Sequence, residues 1–303
     1  MKGRITVTYR FRDPIDLLRY SFLRGSLRDA ARRSVALVTL LTDRVDRSVL
    51  EAGKGLRIVA NVATGVDNID VEAATRLGIL VTNTPGVLTE ATADLTWALI
   101  LATARRVVEG DALVRAGKFR GWGFDLLRGM ELRGRTLGIV GSGRIGRAVS
   151  RRAAGFGMKV LFHSRSRGVP LRRLLERSDF VSIHCPLTQE TYHLIGAREF
   201  RLMKPTAILV NTARGPIVDE KALIAALRAG RIAGAGLDVY EHEPFVPAAL
   251  RKMRNAVLLP HVGSATDETR RRMLDTAVRN VKAALAGRRP QNLVNPEALT
   301  DFR

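Results

Sequence analysis

Thr136-Leu-Gly-Ile-Val140-Gly141-Ser142-Gly143-Arg144-Ile145-Gly146 is the stretch on which the fold turns. Five residues rich in apolar and β-branched side chains predict a short strand, and Arg144 to Phe156 predicts the helix that follows. Between them stands G-x-G-x-x-G. The first glycine permits a tight turn, the second lets a pyrophosphate come close to the backbone, and the third allows the helix to pack on the strand. The unpaired N–H groups of the helix start then face the phosphates. Glycines alone are a weak signal, but strand, turn and helix in this order are the context the motif requires. The reading is a dinucleotide site, with Gly141, Ser142, Gly143, Arg144, Ile145 and Gly146 around the pyrophosphate.

Working outward, short β-branched runs alternate with amphipathic stretches, the pattern of a parallel sheet covered by helices. Strands are predicted at Ile5 to Tyr9, Val35 to Leu40, Arg57 to Val62, Ile79 to Thr82, Lys159 to His163, Phe180 to Cys185, Ala207 to Asn211, Ala233 to Asp238 and Ala256 to Leu259. A long helix is predicted from Thr89 to Gly117, with Thr89 or Thr92 as cap. Another follows Ser264 or Thr266, buries Met273, Ala277, Val281 and Ala284, and stops at Gly287. The two long helices bracket the glycine motif. The expected architecture is therefore α/β: a Rossmann-type, doubly wound nucleotide-binding domain over residues 89–262, inserted into a smaller α/β domain made of residues 1–88 and 263–303.

Which dinucleotide binds depends on the end of the next strand, Phe162-His-Ser164-Arg165-Ser166-Arg167. An Asp or Glu about 20 residues past the glycines would accept hydrogen bonds from a ribose 2′-hydroxyl. No acid stands there. A hydroxyl and a guanidinium at Ser164 and Arg165 instead offer charge-assisted hydrogen bonds to a 2′-phosphate, worth roughly 1.5–3 kcal/mol. NADP(H) is thus expected over NAD(H), with one more Arg in an Arg-rich chain as the competing explanation.

Composition narrows the class. The chain has 303 residues, 46% hydrophobic and 26% charged, as ordinary globular proteins have. No apolar run is long enough to span a membrane and the start lacks a signal-peptide core, so a cytoplasmic protein without membrane partners is expected. A single cysteine, Cys185, excludes an internal disulfide and Cys-based metal clusters, and no metal site is expected. The formal net charge is +21, from 42 Arg and 8 Lys against 29 acids. These cations are scattered and lack interleaved aromatics, so nucleic acid is not an expected partner.

Three further polar clusters follow apolar strands: Asn211-Thr212-Ala213-Arg214-Gly215, Asp238-Val-Tyr-Glu241-His-Glu243-Pro244, and Pro260-His261-Val262-Gly263-Ser264. In open α/β sheets such strand ends bind ligands. An Arg clamps a carboxylate in bidentate fashion, a His exchanges protons near neutral pH, and a Glu orients that His. From spacing alone, an ordinary turn at Glu243-Pro244 and a structural role for His261 stay open.

Together, NVATGVDNID, NTPGVLTEATADL, the glycine motif, SDFVSIHCPLTQETYHLIG, NTARGPIVD, LDVYEHEP and LPHVGSAT give the chain a resemblance to the D-isomer-specific 2-hydroxyacid dehydrogenase family over nearly its whole length. Within it, NTPGVLTEATADL and the HSRSR strand end are similar to the glyoxylate/hydroxypyruvate reductases. The resemblance implies a flavodoxin-like substrate domain and an NADPH-preferring reduction of small 2-oxo acids to D-2-hydroxy acids. It implies Arg214, Glu243 and His261 as catalytic residues, and Thr64, Gly65, Arg214 and His261 as the substrate contacts. For the cofactor it implies Ser164 to Ser166 at the 2′-phosphate and Cys185 and Pro186 near the adenosine ribose. Near the nicotinamide it implies Thr212, Ala213, Asp238, Val262 and Gly263. A homodimer is implied as well, with Trp122 either reaching the partner's site or packing locally.

The segment between the first two strands and the one from Arg167 to Leu171 are shorter than in the family pattern. Glu243 in place of Gln argues against formate dehydrogenase, and the short tail argues against phosphoglycerate dehydrogenases with regulatory domains. An NAD-dependent dehydrogenase of another 2-hydroxy acid, such as phosphoglycerate, and a dinucleotide-responsive corepressor-like binding protein are the alternatives.

Overall fold

The computed structural model describes residues 26–165 and 167–299. The strand predicted at Ile5 to Tyr9 and the side chain of Ser166 lie outside them. The chain forms two units, Met1–Leu88 with Ala265–Arg303, and Thr89–Ser264.

In the first unit, β1 (Ala36–Thr39), β2 (Ile58–Asn61) and β3 (Leu80–Thr82) form a parallel sheet in that order among the described residues. Helices α1 (Leu27–Arg32), α2 (Arg47–Ala52) and α3 (Val71–Arg76) start where a side-chain oxygen of Ser26, Asp46 or Asp70 accepts a free backbone N–H of the first turn. The sheet buries Val59 and Val81 against Leu50 and Ala73 on one side, and Ile58 and Ala60 against the long C-terminal helix on the other.

The second unit holds, among the described residues, a six-stranded sheet whose strands all pair in parallel. Its strands are β4 (Thr136–Val140), β5 (Lys159–His163), β6 (Phe180–Ile183), β7 (Ile208–Asn211), β8 (Gly234–Leu237) and β9 (Ala256–Leu258), in the order β5-β4-β6-β7-β8-β9. This is a Rossmann-type α/β sheet. Strands covered on both faces read as continuous apolar runs, which is why Phe180–Ile183 and Ile208–Asn211 lack alternation. Helices α4 (Thr89–Ala104) and α6 (Arg144–Ala153) cover one face through Leu99, Ile100 and Val149. Helices α7 (Leu171–Arg177), α8 (Ala197–Leu202) and α9 (Glu220–Arg228) cover the other through Leu174, Phe200 and Leu223. Truncating a buried aromatic such as Phe200 would cost about 3–5 kcal/mol.

The strand order reverses beside β4, so a crevice opens between the loops after β4 and β6. The turn at Gly141 approaches the other loop so closely that a Cβ would lie 2.5 Å from the Cys185 nitrogen, at φ +105°.

The long helix expected from Thr89 to Gly117 is two helices. It breaks after Ala104, whose carbonyl accepts the N–H of Met130, and Arg106 turns left-handed at φ +53° before α5 (Val107–Arg115) begins. The C-terminal helix runs from Asp267 to Leu285, with Thr266 as cap. Among the described residues no helix is long and apolar enough to cross a membrane.

Candidate active site

All strands of the larger sheet point the same way, so the loops after β4 to β9 gather at one edge. Each carries residues singled out from the sequence. In the glycine turn, Gly141 and Gly146 are buried and Gly143 is exposed. A Cβ on Gly146 would collide with the Gly141 carbonyl, so this glycine sets the approach of α6 to β4, whereas Gly143 faces open space. A Cβ there would fill only the place where a pyrophosphate fits, and the exposed helix start supplies unpaired N–H groups. The cradle therefore suits a dinucleotide. Ser142 and Ile145 are half-buried beside it, and Arg144 is exposed.

At the end of β5, Ser164 closes a tight turn: its N–H and its hydroxyl both donate to the Arg167 carbonyl, at 2.9 and 3.0 Å. Arg165 is exposed and pairs at 3.5 Å with Glu190, from the loop after β6. Sequence reading did not anticipate that acid, which stands 25 residues away in the chain. In the same loop, Cys185 packs against the apolar core, and burial pushes its thiol up to about 11. Pro186 follows, its carbonyl accepting the Thr191 hydroxyl.

After β7, Asn211 shapes the turn: its amide nitrogen donates to the Arg214 carbonyl and its oxygen accepts the Ala213 N–H. Thr212 shares a hydrogen bond of 2.9 Å with Thr96 of α4. The Arg214 guanidinium donates to the Ala213 carbonyl at 2.8 Å. Gly215 comes next because any Cβ would strike the Tyr240 carbonyl, so this turn lies directly on the loop after β8.

That loop carries Asp238 and Glu243. Asp238 is fully buried, and its two oxygens accept the N–H groups of Val262 and Gly263 at 2.7 and 2.8 Å. Burial raises its carboxyl above the ordinary range, against those hydrogen bonds and the nearby His261. The Asp238 carbonyl also accepts the His261 N–H at 2.9 Å. Three bonds from one residue thus hold His261 at φ +54°, a left-handed conformation costly for a residue with a side chain. The Thr92 hydroxyl, expected as a helix cap, instead donates to the Gly263 carbonyl at 3.1 Å.

The result is a pair 18 residues apart in the chain, with His261 Nδ1 2.8 Å from Glu243 Oε2. The other Glu243 oxygen accepts the Tyr240 N–H at 3.0 Å, and the Tyr240 hydroxyl donates to the Leu259 carbonyl. Burial alone would raise the Glu243 carboxyl. The hydrogen bond and charge of His261, the Tyr240 N–H and the charge of Arg214 outweigh it and hold the group below its ordinary value. Glu243 is thus an anion that fixes the imidazole's Nδ1 and leaves Nε2 to act.

A second histidine-carboxylate pair went unseen in the sequence. His193 Nε2 lies 2.9 Å from Glu241, whose other oxygen accepts the Glu220 N–H at the start of α9. His184 lies half-buried beside Ser182, and desolvation lowers it to about 3, so it stays neutral. Among the described residues no group of three or more His, Cys, Asp or Glu is arranged to hold a metal ion.

In the smaller unit, Thr64 and Gly65 lie on the loop after β2, half-buried.

Comparison with known proteins places these observations. A family profile described as D-isomer specific 2-hydroxyacid dehydrogenase, NAD binding domain, matches residues 97–263. A glyoxylate reductase of Thermococcus litoralis is 53% identical over 292 residues, covering 91% of this chain and 88% of its own. One from Korarchaeum cryptofilum is 56% identical over 277 residues, covering 87% and 83%. Among solved structures, the NADPH-dependent glyoxylate/hydroxypyruvate reductase of Sinorhizobium meliloti, in complex with NADP and malonate, superposes with a TM-score of 0.83. It is 38% identical over 90% of this chain and 87% of its own. The chain belongs to the D-isomer specific 2-hydroxyacid dehydrogenase family and is an NAD(P)-dependent oxidoreductase.

Proposed function

We propose that the protein reduces glyoxylate, hydroxypyruvate and similar small 2-oxo acids to D-2-hydroxy acids, with NADPH preferred to NADH. The observation that carries the reading is the 2.8 Å bond between His261 and an anionic Glu243, within reach of the charge of Arg214. The names of the archaeal relatives and of the Sinorhizobium structure support the substrate class.

Gly141 to Gly146 would hold the pyrophosphate and Ser164 to Ser166 the 2′-phosphate. Cys185 and Pro186 would flank the adenosine ribose. Thr212, Ala213, Asp238, Val262 and Gly263 would line the nicotinamide. The bound cofactor supplies the hydride. The residues do the rest. The backbone N–H groups of Thr64 and Gly65 take the substrate carboxylate, and Arg214 anchors carboxylate and ketone oxygen. Reduction leaves negative charge on the substrate's ketone oxygen. Protonated His261 transfers its Nε2 proton there, and Glu243 stabilises the imidazolium beforehand.

The protein acts as a homodimer in this reading. Helix α5 buries no residue of its own, and Val114, Phe119, Trp122 and Phe124 are exposed on and after it, Trp122 by 85% and Phe124 by 78%. Apolar side chains exposed together in this way support an interface. A solution mass of one chain at micromolar concentration would contradict this.

Turnover is tested by following nicotinamide absorbance with glyoxylate, hydroxypyruvate and pyruvate. Rapid oxidation of NADPH supports the proposal. Cofactor binding without turnover of any 2-oxo acid would overturn it.

A further inference from the structure

The loop Ala63–Val66 after β2 has all four carbonyls occupied from within its own unit. The Ala63 carbonyl accepts the Thr84 N–H at 2.9 Å, and the Val66 carbonyl accepts the Ile69 N–H at 3.0 Å. The two between them are held by side chains. Asn83 donates to the Thr64 carbonyl at 2.7 Å and Asn61 to the Gly65 carbonyl at 3.0 Å.

Asn61 is fully buried and cannot turn away. Its oxygen accepts the Thr39 hydroxyl at 3.0 Å, and its second amide hydrogen goes to Asn68 at 2.9 Å. Asn68 is tied in turn to the carbonyls of Leu40 and Asp43. Asn83 is anchored through its own N–H to the Asn292 carbonyl.

In a trans peptide the N–H points opposite to the C=O of the same unit. Holding the carbonyls of residues 63, 64 and 65 inward therefore turns the N–H groups of Thr64, Gly65 and Val66 outward. Among the described residues none of these three has an acceptor, and all three residues are half-buried rather than sealed. A run of aligned, unpaired N–H groups on a fixed loop is an anion site.

We propose that Asn61 and Asn83 are positioning residues that set this row of donors for the carboxylate of the 2-oxo acid. The proposal rests on the substrate reading above, in which Thr64 and Gly65 meet that carboxylate. Asn83 orients the Gly65 N–H and Asn61 the Val66 N–H. Neither side chain touches the substrate, and no charge is involved. Without its amide, each peptide is free to rotate and the donor no longer waits in place.

The test compares Asn83→Ala, the near-isosteric and uncharged Asn83→Leu and Asn61→Ala with wild type. Glyoxylate KM, the inhibition constant of oxamate, NADPH KM and melting temperature are measured for each. Expected are a rise of about tenfold in glyoxylate KM and oxamate inhibition constant, NADPH KM within about twofold of wild type, and a melting temperature close to wild type for Asn83→Leu. A folded Asn83→Leu protein with wild-type glyoxylate and oxamate constants overturns the assignment. So does a parallel loss for glyoxylate and NADPH, which is what general damage would give. Wild-type turnover in the same assay separates the two readings: its absence overturns the substrate reading and this assignment with it, whereas turnover with unaltered variants overturns the assignment alone.

Discussion

His261 Nδ1 and Glu243 Oε2 lie 2.8 Å apart although their backbones leave different strands, β9 and β8. Asp238 brings this about. Buried at the end of β8, it accepts three N–H groups from the turn that carries His261, while the same loop continues to Glu243. One buried residue thus couples His261 to the carboxylate that orients its ring.

Glu243→Gln keeps the shape but removes the anion and exchanges an acceptor for a donor opposite Nδ1. Reduction is expected to slow by about 10²-fold or more, because the imidazole loses both its tautomer and the stabilisation of its cation. The folded Glu243 carboxyl lies below its ordinary value, so its contribution to stability is present above the unfolded value and is lost as pH falls through the folded one. Thermal melts across the acid range should therefore show a weaker pH dependence in Glu243→Gln than in wild type. Identical acid profiles would contradict the pairing.

Two glycines of one motif should fail in different ways. Gly143→Ala meets no neighbour and has a backbone any residue adopts, so its melting temperature should match wild type while the NADPH dissociation constant rises tenfold or more. Gly146→Ala would push α6 off β4 and should lose about 1–3 kcal/mol of stability. Denaturation combined with fluorescence titration of NADPH separates the two, and equal destabilisation by both would contradict this division of roles.

Cofactor choice should respond to the pair at the end of β5. Arg165→Ala is expected to weaken NADPH about tenfold and leave NADH unchanged. Glu190 holds the same guanidinium and would repel a 2′-phosphate, so Glu190→Gln should strengthen NADPH several-fold. Steady-state constants for both cofactors decide it. Equal effects on NADH would remove the 2′-phosphate from the explanation.

Much of this was legible in the chain because its requirements are local. A G-x-G-x-x-G turn between strand and helix is dictated by sterics within eleven residues, and apolar β-branched runs announce buried parallel strands. The types of the candidate site residues were legible too, as Arg, Glu and His at successive strand ends. What the chain concealed depends on partners distant in sequence. The helix from Thr89 breaks because Met130 takes the Ala104 carbonyl. Glu190 meets Arg165, and His193 meets Glu241 48 residues away. Asn61 and Asn83 look like ordinary polar ends of strands until their amides are seen holding two carbonyls of one loop.

The most direct measurement is glyoxylate reduction by wild type and His261→Asn across pH with saturating NADPH. Wild-type kcat/KM should fall as pH rises and the donated proton is lost. The variant should bind NADPH normally yet turn over about 10²–10⁴-fold more slowly, with no such fall. A His261→Asn protein that reduces glyoxylate within tenfold of wild type, or a wild-type profile flat in pH, would contradict the account.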